Sequence, residues 1–187
     1  SMLIPRNMPE EENTMTAWTD SDWAGDIATR RSTSGGFIMY RGAVMAHWSN
    51  SQSNVALSSA EAELNARVKG LSELISLHHL IEETQRVSVS LSLHTDASAC
   101  KGMLLRRGEG KVKHLSVKQL WSQKCVKMYH VEVRKVPREE NPSDVLTHSV
   151  SHPTMQKQLA RMNVSRGKMH KKVGGEHAFE VGMLEKE

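Results

Sequence analysis

The stretch "VSVSLSLHTD", residues Val87 to Asp96, alternates without a break: Val87, Val89, Leu91 and Leu93 fall on one side, Ser88, Ser90, Ser92, His94 and Asp96 on the other. A period of two over this length is the signature of a strand with one face in a core and the other polar. The polar face ends in an aspartate, where the chain leaves the sheet. Working outward, the preceding segment carries Leu64, Val68, Leu71 and Ile75 at spacings of four, three and four, which predicts a core-facing helix from near Ser59 to about Glu82.

Before that helix, "MTAWTD" from Met15 to Asp20 has strand content and leads into the turn-rich "SDWAGDIATRRSTSGG". "FIMYRGAVMAHWS" then reads as two strands broken at Arg41-Gly42, a hairpin signal. Beyond Asp96, a short helix is predicted from Ala97 to Arg107, closed by Gly108 and Gly110, and a second over about Ser116 to Val126. "YHVEVRKV" is another alternating strand with Tyr129, Val131 and Val133 inward, "PREENPSD" is a turn, and Pro142-Ser143-Asp144 is expected to start a last helix. Three strands, a helix, a strand, helices, a strand and a helix make an α/β chain. Helix-linked strands return parallel and tight hairpins are antiparallel, so the sheet should be mixed and flanked by helices.

The 187 residues suit one domain with a tail. Residues 1–14 are expected to be a flexible segment, 15–150 the domain, and 151–187 a polar, basic tail with one short helical stretch around "TMQKQLARM". A hydrophobic share of 38% argues against wholesale disorder, and with aromatics at 4% the core must rest on aliphatic residues and Met. No run approaches the roughly 18 apolar residues of a membrane span, and "SMLIPRNMPEEENTM" lacks the pattern of a secretory signal, so an intracellular setting is expected. Cys100 and Cys125 are isolated and are read as reduced and structural. The net charge is only +4, yet Lys101 to Arg138 holds eleven Lys or Arg against two acids, a surface suited to a polyanion or simply a solvated face.

Phosphoryl chemistry with paired divalent ions needs several carboxylates from separate elements converging on a space about 4 Å across. Asp20 ends the first strand, Asp96 ends the polar face of the fourth, and Asp144 starts the final segment. Each alone is explained as a turn or cap residue; together they fall at element junctions, and a glutamate on the long helix would complete the set. Two glutamates compete there, Glu61 and Glu63. At about 100° per residue they point roughly 200° apart and cannot share one task. With Ser58 as N-cap, "SSAE" forms a capping box that ties Glu61 to the Ser58 backbone and leaves Glu63 free.

The stretches "TDSDWAGDIATRRSTSGGFI", "ALSSAEAEL", "HTDASACKGMLLRRGEGKVKHL" and "VPREENPSDVLT" resemble, in this order, the ribonuclease H domain of copia-type retrotransposon Pol polyproteins, over roughly Met15 to Val150. The resemblance implies the ribonuclease H fold, a five-stranded mixed sheet of strand order 3-2-1-4-5. It also implies hydrolysis of the RNA strand of an RNA/DNA hybrid with two Mg²⁺ ions, or Mn²⁺ in their place.

Carried over by motif, Asp20, Glu63, Asp96 and Asp144 are the implied metal ligands. Asp20 would bridge both ions, Asp144 would help hold one, and Glu63 and Asp96 the other; Asp22 and Asp26 are not expected to be ligands. Arg30, Arg31, Arg106, Arg107, Lys111, Lys113 and His114 are the expected contacts to the hybrid. The family further implies a reverse transcriptase domain in cis and a cytoplasmic, particle-associated or nuclear setting. A histidine that many cellular ribonucleases H carry before the last aspartate is absent from "RKVPREENPS", which leaves its role to His148, His152 or solvent. Asn65 and Ser116 also depart from the copia-type pattern. The competing reading is a catalytically degenerate module that binds nucleic acid. An integrase-type strand transferase fits less well, because its acids run Asp, Asp, Glu and not Asp, Glu, Asp, Asp.

Overall fold

The structure, a computed structural model, describes residues 13–96 and 116–164. Three strands come first: β1 (Thr14–Ser21), β2 (Thr33–Tyr40) and β3 (Ala43–Ser51). The long helix α1 (Ser59–Gln85) leads to β4 (Ser90–Thr95), and α2 (Ser116–Met128) leads to β5 (Glu132–Lys135). Two 3-10 turns, Arg138–Glu140 and Pro142–Leu146, precede α3 (His152–Arg161). The sheet order is β3-β2-β1-β4-β5. Both hairpin pairs are antiparallel, and β1 pairs parallel with β4 as β4 does with β5. This is the mixed sheet that the element order and the resemblance imply.

Alternation sorts the two faces of the sheet. Ala17 pairs with Ile38 and with Leu93, and these belong to one core with Met15, Tyr40, Leu71, Leu74, Leu91 and Val133. One residue out of phase, Trp18 pairs with Phe37 and His94 on the opposite face, where the Trp18 ring stacks parallel to Phe37 at 6.1 Å and meets His94 edge-on at 4.3 Å. The polar face predicted for β4 is therefore exposed only where it begins, at Ser90. Ser92 is buried, and burial beneath Trp18, with Arg134 nearby, pushes the His94 imidazole down to about 4.

Helix α1 starts as predicted but runs one turn beyond Glu82, to Gln85, and its core stripe is rotated from the expected one. Leu64 and Leu71 are buried, whereas Val68 and Ile75 are half-buried, and Ala66, Arg67, Gly70 and Leu74 take the inner face. The reason is close approach to the sheet: a Cβ on Gly70 would stand 2.3 Å from Thr19 Cγ2. Small residues set the contact line, and hydrophobicity alone does not reveal it.

The last predicted helix is corrected. Pro142 to Leu146 is a 3-10 turn and the α-helix begins only at His152. Asn141 caps the start of this turn, where its side chain accepts from the Ser143 amide at 3.3 Å, and ties it to the sheet by donating to the Thr19 carbonyl at 3.1 Å. Helix α3 lies over this turn, with Gln158 buried and Arg161 Nη1 donating to the Glu139 carbonyl at 2.7 Å. The short helix predicted from Ala97 to Arg107 and Cys100 lie outside the described residues; Cys125 is buried and free.

Candidate metal centre

The parallel register brings the first two acids together. Trp18 pairs with His94, and two residues further on stand Asp20, still in β1, and Asp96, just past β4, at the same end of these central strands. Asp20 sits opposite Gly35 of β2, and a Cβ at Gly35 would be 2.6 Å from Thr147 Cγ2 and 2.8 Å from Leu146 Cβ. That glycine lets the Pro142–Leu146 turn seat on β2 beside Asp20, where Ser49 Oγ donates to the Leu146 carbonyl at 2.6 Å. The turn thereby delivers Asp144.

Helix α1 delivers the fourth acid. Ser58 caps the helix, its side chain accepting from the Glu61 amide at 3.2 Å, and the Glu61 carboxylate accepts from the Leu57 amide at 2.8 Å. The capping box holds with one change, since the return bond goes to Leu57 and not to Ser58. Glu63, one turn in, points to that end of the sheet. Ser21 Oγ donates to its Oε1 at 2.9 Å, while its Oε2 is buried with no hydrogen-bond partner among the described residues.

Asp20, Glu63 and Asp96 each offer an oxygen within 4.8 Å of the others, and Asp20, Asp144 and His148 form a second set of the same kind. Asp20 belongs to both. Burial and the neighbouring Asp20 carboxylate push Glu63 up to about 7; burial also raises Asp20, whose bond from Thr147 opposes the shift. Asp96 is raised by burial and by Asp20. A cluster of acids held above their ordinary range, with one buried oxygen unpaired, suits a divalent cation, which would satisfy that oxygen and relieve the repulsion. Asp22 and Asp26 play other parts: Asp22 accepts from the Thr33 amide, and Asp26 accepts from Ala28 and Thr29 in the turn that follows it.

Four neighbours were not legible as site residues. Thr147 donates to Asp20, Ser21 donates to Glu63, Arg138 Nη2 lies 3.4 Å from Asp144 Oδ1, and Arg67 Nε donates to the Glu63 carbonyl at 3.2 Å from a fully buried position. Only Arg67 carried a signal, its place four residues after Glu63. Arg30 and Arg31 are exposed in the β1 to β2 connection, where their backbones bond Asp26 and the structure does not bring them to the four acids. Arg106, Arg107, Lys111, Lys113 and His114 lie outside the described residues.

No protein-family profile matches the chain. It is 29% identical over 137 residues, 73% of its length, to the Retrovirus-related Pol polyprotein from transposon TNT 1-94 of Nicotiana tabacum. It is 25% identical over 149 residues to the Transposon Ty1-DR5 Gag-Pol polyprotein of Saccharomyces cerevisiae. A shorter match, 40% identical over 63 residues, is to Secreted RxLR effector protein 161 of Plasmopara viticola, covering 44% of that protein. The fold of LC11-RNase H1, isolated from compost, superposes with a TM-score of 0.59 at 16% identity, covering 79% of this chain and 99% of that one.

The chain has a ribonuclease H-like fold and is distantly homologous in sequence to copia and Ty1 Pol polyproteins. This ribonuclease H-like domain spans only 10% of the tobacco polyprotein and 8% of the yeast one. A second structure of LC11-RNase H1, in complex with an RNA/DNA hybrid, matches the domain with a TM-score of 0.56 at 15% identity, over 72% of this chain and 94% of that one.

Proposed function

We propose that this domain hydrolyses the RNA strand of an RNA/DNA hybrid, with Asp20, Glu63, Asp96 and Asp144 as the metal-holding carboxylates. The observation that carries the reading is Asp20's membership of two ligand sets, one with Glu63 and Asp96 and one on the Asp144 side. Divalent cations bound there, Mg²⁺ or Mn²⁺, would supply the positive charge that polarises a phosphodiester and lowers the pKa of an attacking water. The chain's own groups hold that arrangement in place. Ser21 fixes one oxygen of Glu63 and leaves the other facing the site, Thr147 fixes Asp20, and Asn141 pins the turn that bears Asp144 to β1. Arg138, exposed beside Asp144, offers positive charge to a substrate phosphate.

The hybrid is recognised in this reading by shape, through phosphates along both strands and 2′-hydroxyls on one. Arg106, Arg107, Lys111, Lys113 and His114, with Arg30 and Arg31 at the other connection, are the proposed contacts. The LC11-RNase H1 complex with a hybrid and the Pol relatives support this substrate, and a polymerase domain in cis and an intracellular setting during retrotransposition belong to the same proposal. The test is a comparison of labelled RNA in a hybrid, in an RNA duplex and as a single strand, each with Mg²⁺ and with chelator. Cleavage confined to the hybrid and to the metal-containing samples is expected. Salt-sensitive hybrid binding without cleavage would replace this reading with a degenerate binding module.

A further inference from the structure

A cavity of about 410 Å³ opens beside Asp144, where helix α3 lies over the two 3-10 turns. Its walls are Arg138, Glu139, Asp144, Thr154, Lys157 and Gln158. The helix and the turns are fastened together. Gln158 is buried and its Nε2 donates to the Glu139 carbonyl at 3.3 Å, while Arg161 Nη1 donates to the same oxygen at 2.7 Å. The cavity is thus a consequence of how α3 docks.

Its cations are not spent on the protein's own acids. Arg138 Nε and Nη2 each lie 3.4 Å from Asp144 Oδ1, beyond the roughly 2.7–3.2 Å of a direct bond. Nη2 also stands 3.5 Å from His148 Nε2, which leaves Nη1 without a partner among the described residues. Lys157 is exposed and has neither a carboxylate nor a hydrogen-bond partner among the described residues. Thr154 sits in the first turn of α3, at the positive end of the helix. Its hydroxyl, 2.9 Å from Ser151 Oγ, can accept from that serine and donate to an anion. Asp144 is committed to the metal centre in the reading above, so Arg138 and Lys157 face Glu139 alone. A guanidinium, an ammonium and a hydroxyl around one open cavity suit a phosphate.

Position decides which phosphate. Arg138 borders both the cavity and Asp144, so an anion held there lies within a side chain's length of the metal centre. Neighbouring phosphates of one strand follow at about 3.4 Å of axial rise, whereas those of the other strand lie across a groove. We propose that this cavity binds the RNA-strand phosphate next to the one that is cut, with Arg138 and Lys157 as its charged contacts and Thr154 as its hydroxyl donor. The inference rests on the hydrolase reading and extends it by assigning a substrate subsite to α3. The rival account makes Lys157 one more solvated charge.

The experiment is single-turnover cleavage of hybrids in which one phosphate is replaced by a neutral methylphosphonate, moved position by position along either strand. In the RNA strand it stands beside a 2′-O-methyl sugar, and each substrate is compared with one carrying the same sugar and an ordinary phosphate. The native chain, Lys157→Ala, Lys157→Arg and Lys69→Ala are assayed, each checked for an intact thermal melt. Lys69, an exposed lysine paired with Glu73, is the charge control. A neutral RNA linkage next to the cut bond should lower native kcat/KM by about three- to tenfold and lower that of Lys157→Ala no further, since its charged partner is already gone. Lys157→Arg and Lys69→Ala should keep the native pattern. Equal responses of the native chain and Lys157→Ala to every neutral linkage, or a difference confined to the DNA strand, overturn the subsite and leave the hydrolase reading standing. A native chain that cleaves no hybrid overturns that reading and the inference with it.

Discussion

Glu61 and Glu63 are two residues apart on one helix and do different work. Glu61 closes the helix cap on Leu57, and Glu63 turns a buried, unpaired oxygen toward Asp20 and Asp96. Glu63→Gln should lower hybrid cleavage by about two orders of magnitude or more while the chain stays folded, because the charge lost is the one the cations need. Glu61→Gln should cleave at nearly the native rate, and parallel cleavage assays and thermal melts on both variants decide the matter. The same residue gives a pH signature. Glu63 is raised from an ordinary 4.5 to about 7 in the folded chain, so the fold binds its proton more tightly than the unfolded chain does. Its contribution therefore falls as pH rises from about 4.5 to about 7 and stays lost above that. His94, lowered to about 4, acts in the opposite direction between there and its ordinary 6.5, and Asp20 and Asp96, also raised, act in the same direction as Glu63, so the native curve alone mixes them. The difference isolates Glu63: in chelator, Glu63→Gln should gain stability relative to the native chain as pH goes from 5 to 8, and saturating Mg²⁺ should shrink that gain.

The elements were legible where a single period governs them. The alternation of Val89, Leu91 and Leu93, the break at Arg41-Gly42 and the cap at Ser58 each led to the strand, hairpin or helix found there. The departures share a cause, which is contact that depends on small or polar residues. The inner face of α1 is set by Gly70 against Thr19 and by buried Arg67, neither of which raises a hydrophobic count. The segment after Pro142 is a short turn held to the sheet at both ends, by Asn141 on the Thr19 carbonyl and by Leu146, whose carbonyl accepts from Ser49. Two substitutions test these contacts by chemical denaturation. Gly70→Ala forces a methyl to 2.3 Å from Thr19 Cγ2 and should destabilise by about 1–3 kcal/mol, lifting α1 and with it Glu63. Asn141→Ala leaves the buried Thr19 carbonyl without its donor and should destabilise by about 1–3 kcal/mol while weakening the hold on Asp144.

At the scale of the molecule, the sheet is a device for bringing four distant residues to one end of its central strands. Parallel pairing of β1 with β4 sets Asp20 beside Asp96, the return helix adds Glu63, and the turn seated on Gly35 adds Asp144. The sequence revealed the acids as junction residues, and the capping box at Ser58 together with the resemblance chose among them; Thr147, Ser21 and Arg138 gave no sign, because their roles arise from the tertiary meeting of segments. The basic block between Lys101 and Arg138 carries a further expectation. Arg106→Ala combined with Arg107→Ala should weaken hybrid binding and flatten the slope of log affinity against log salt by about 1–2, as measured by fluorescence anisotropy. The most direct measurement is cleavage of a labelled RNA strand in an RNA/DNA hybrid by the native chain and by Asp96→Asn, with Mg²⁺ and then with Mn²⁺. Metal-dependent cleavage by the native chain that Asp96→Asn loses is the predicted result. A native chain inert with either ion, or a variant that cleaves as well as the native, would contradict the account.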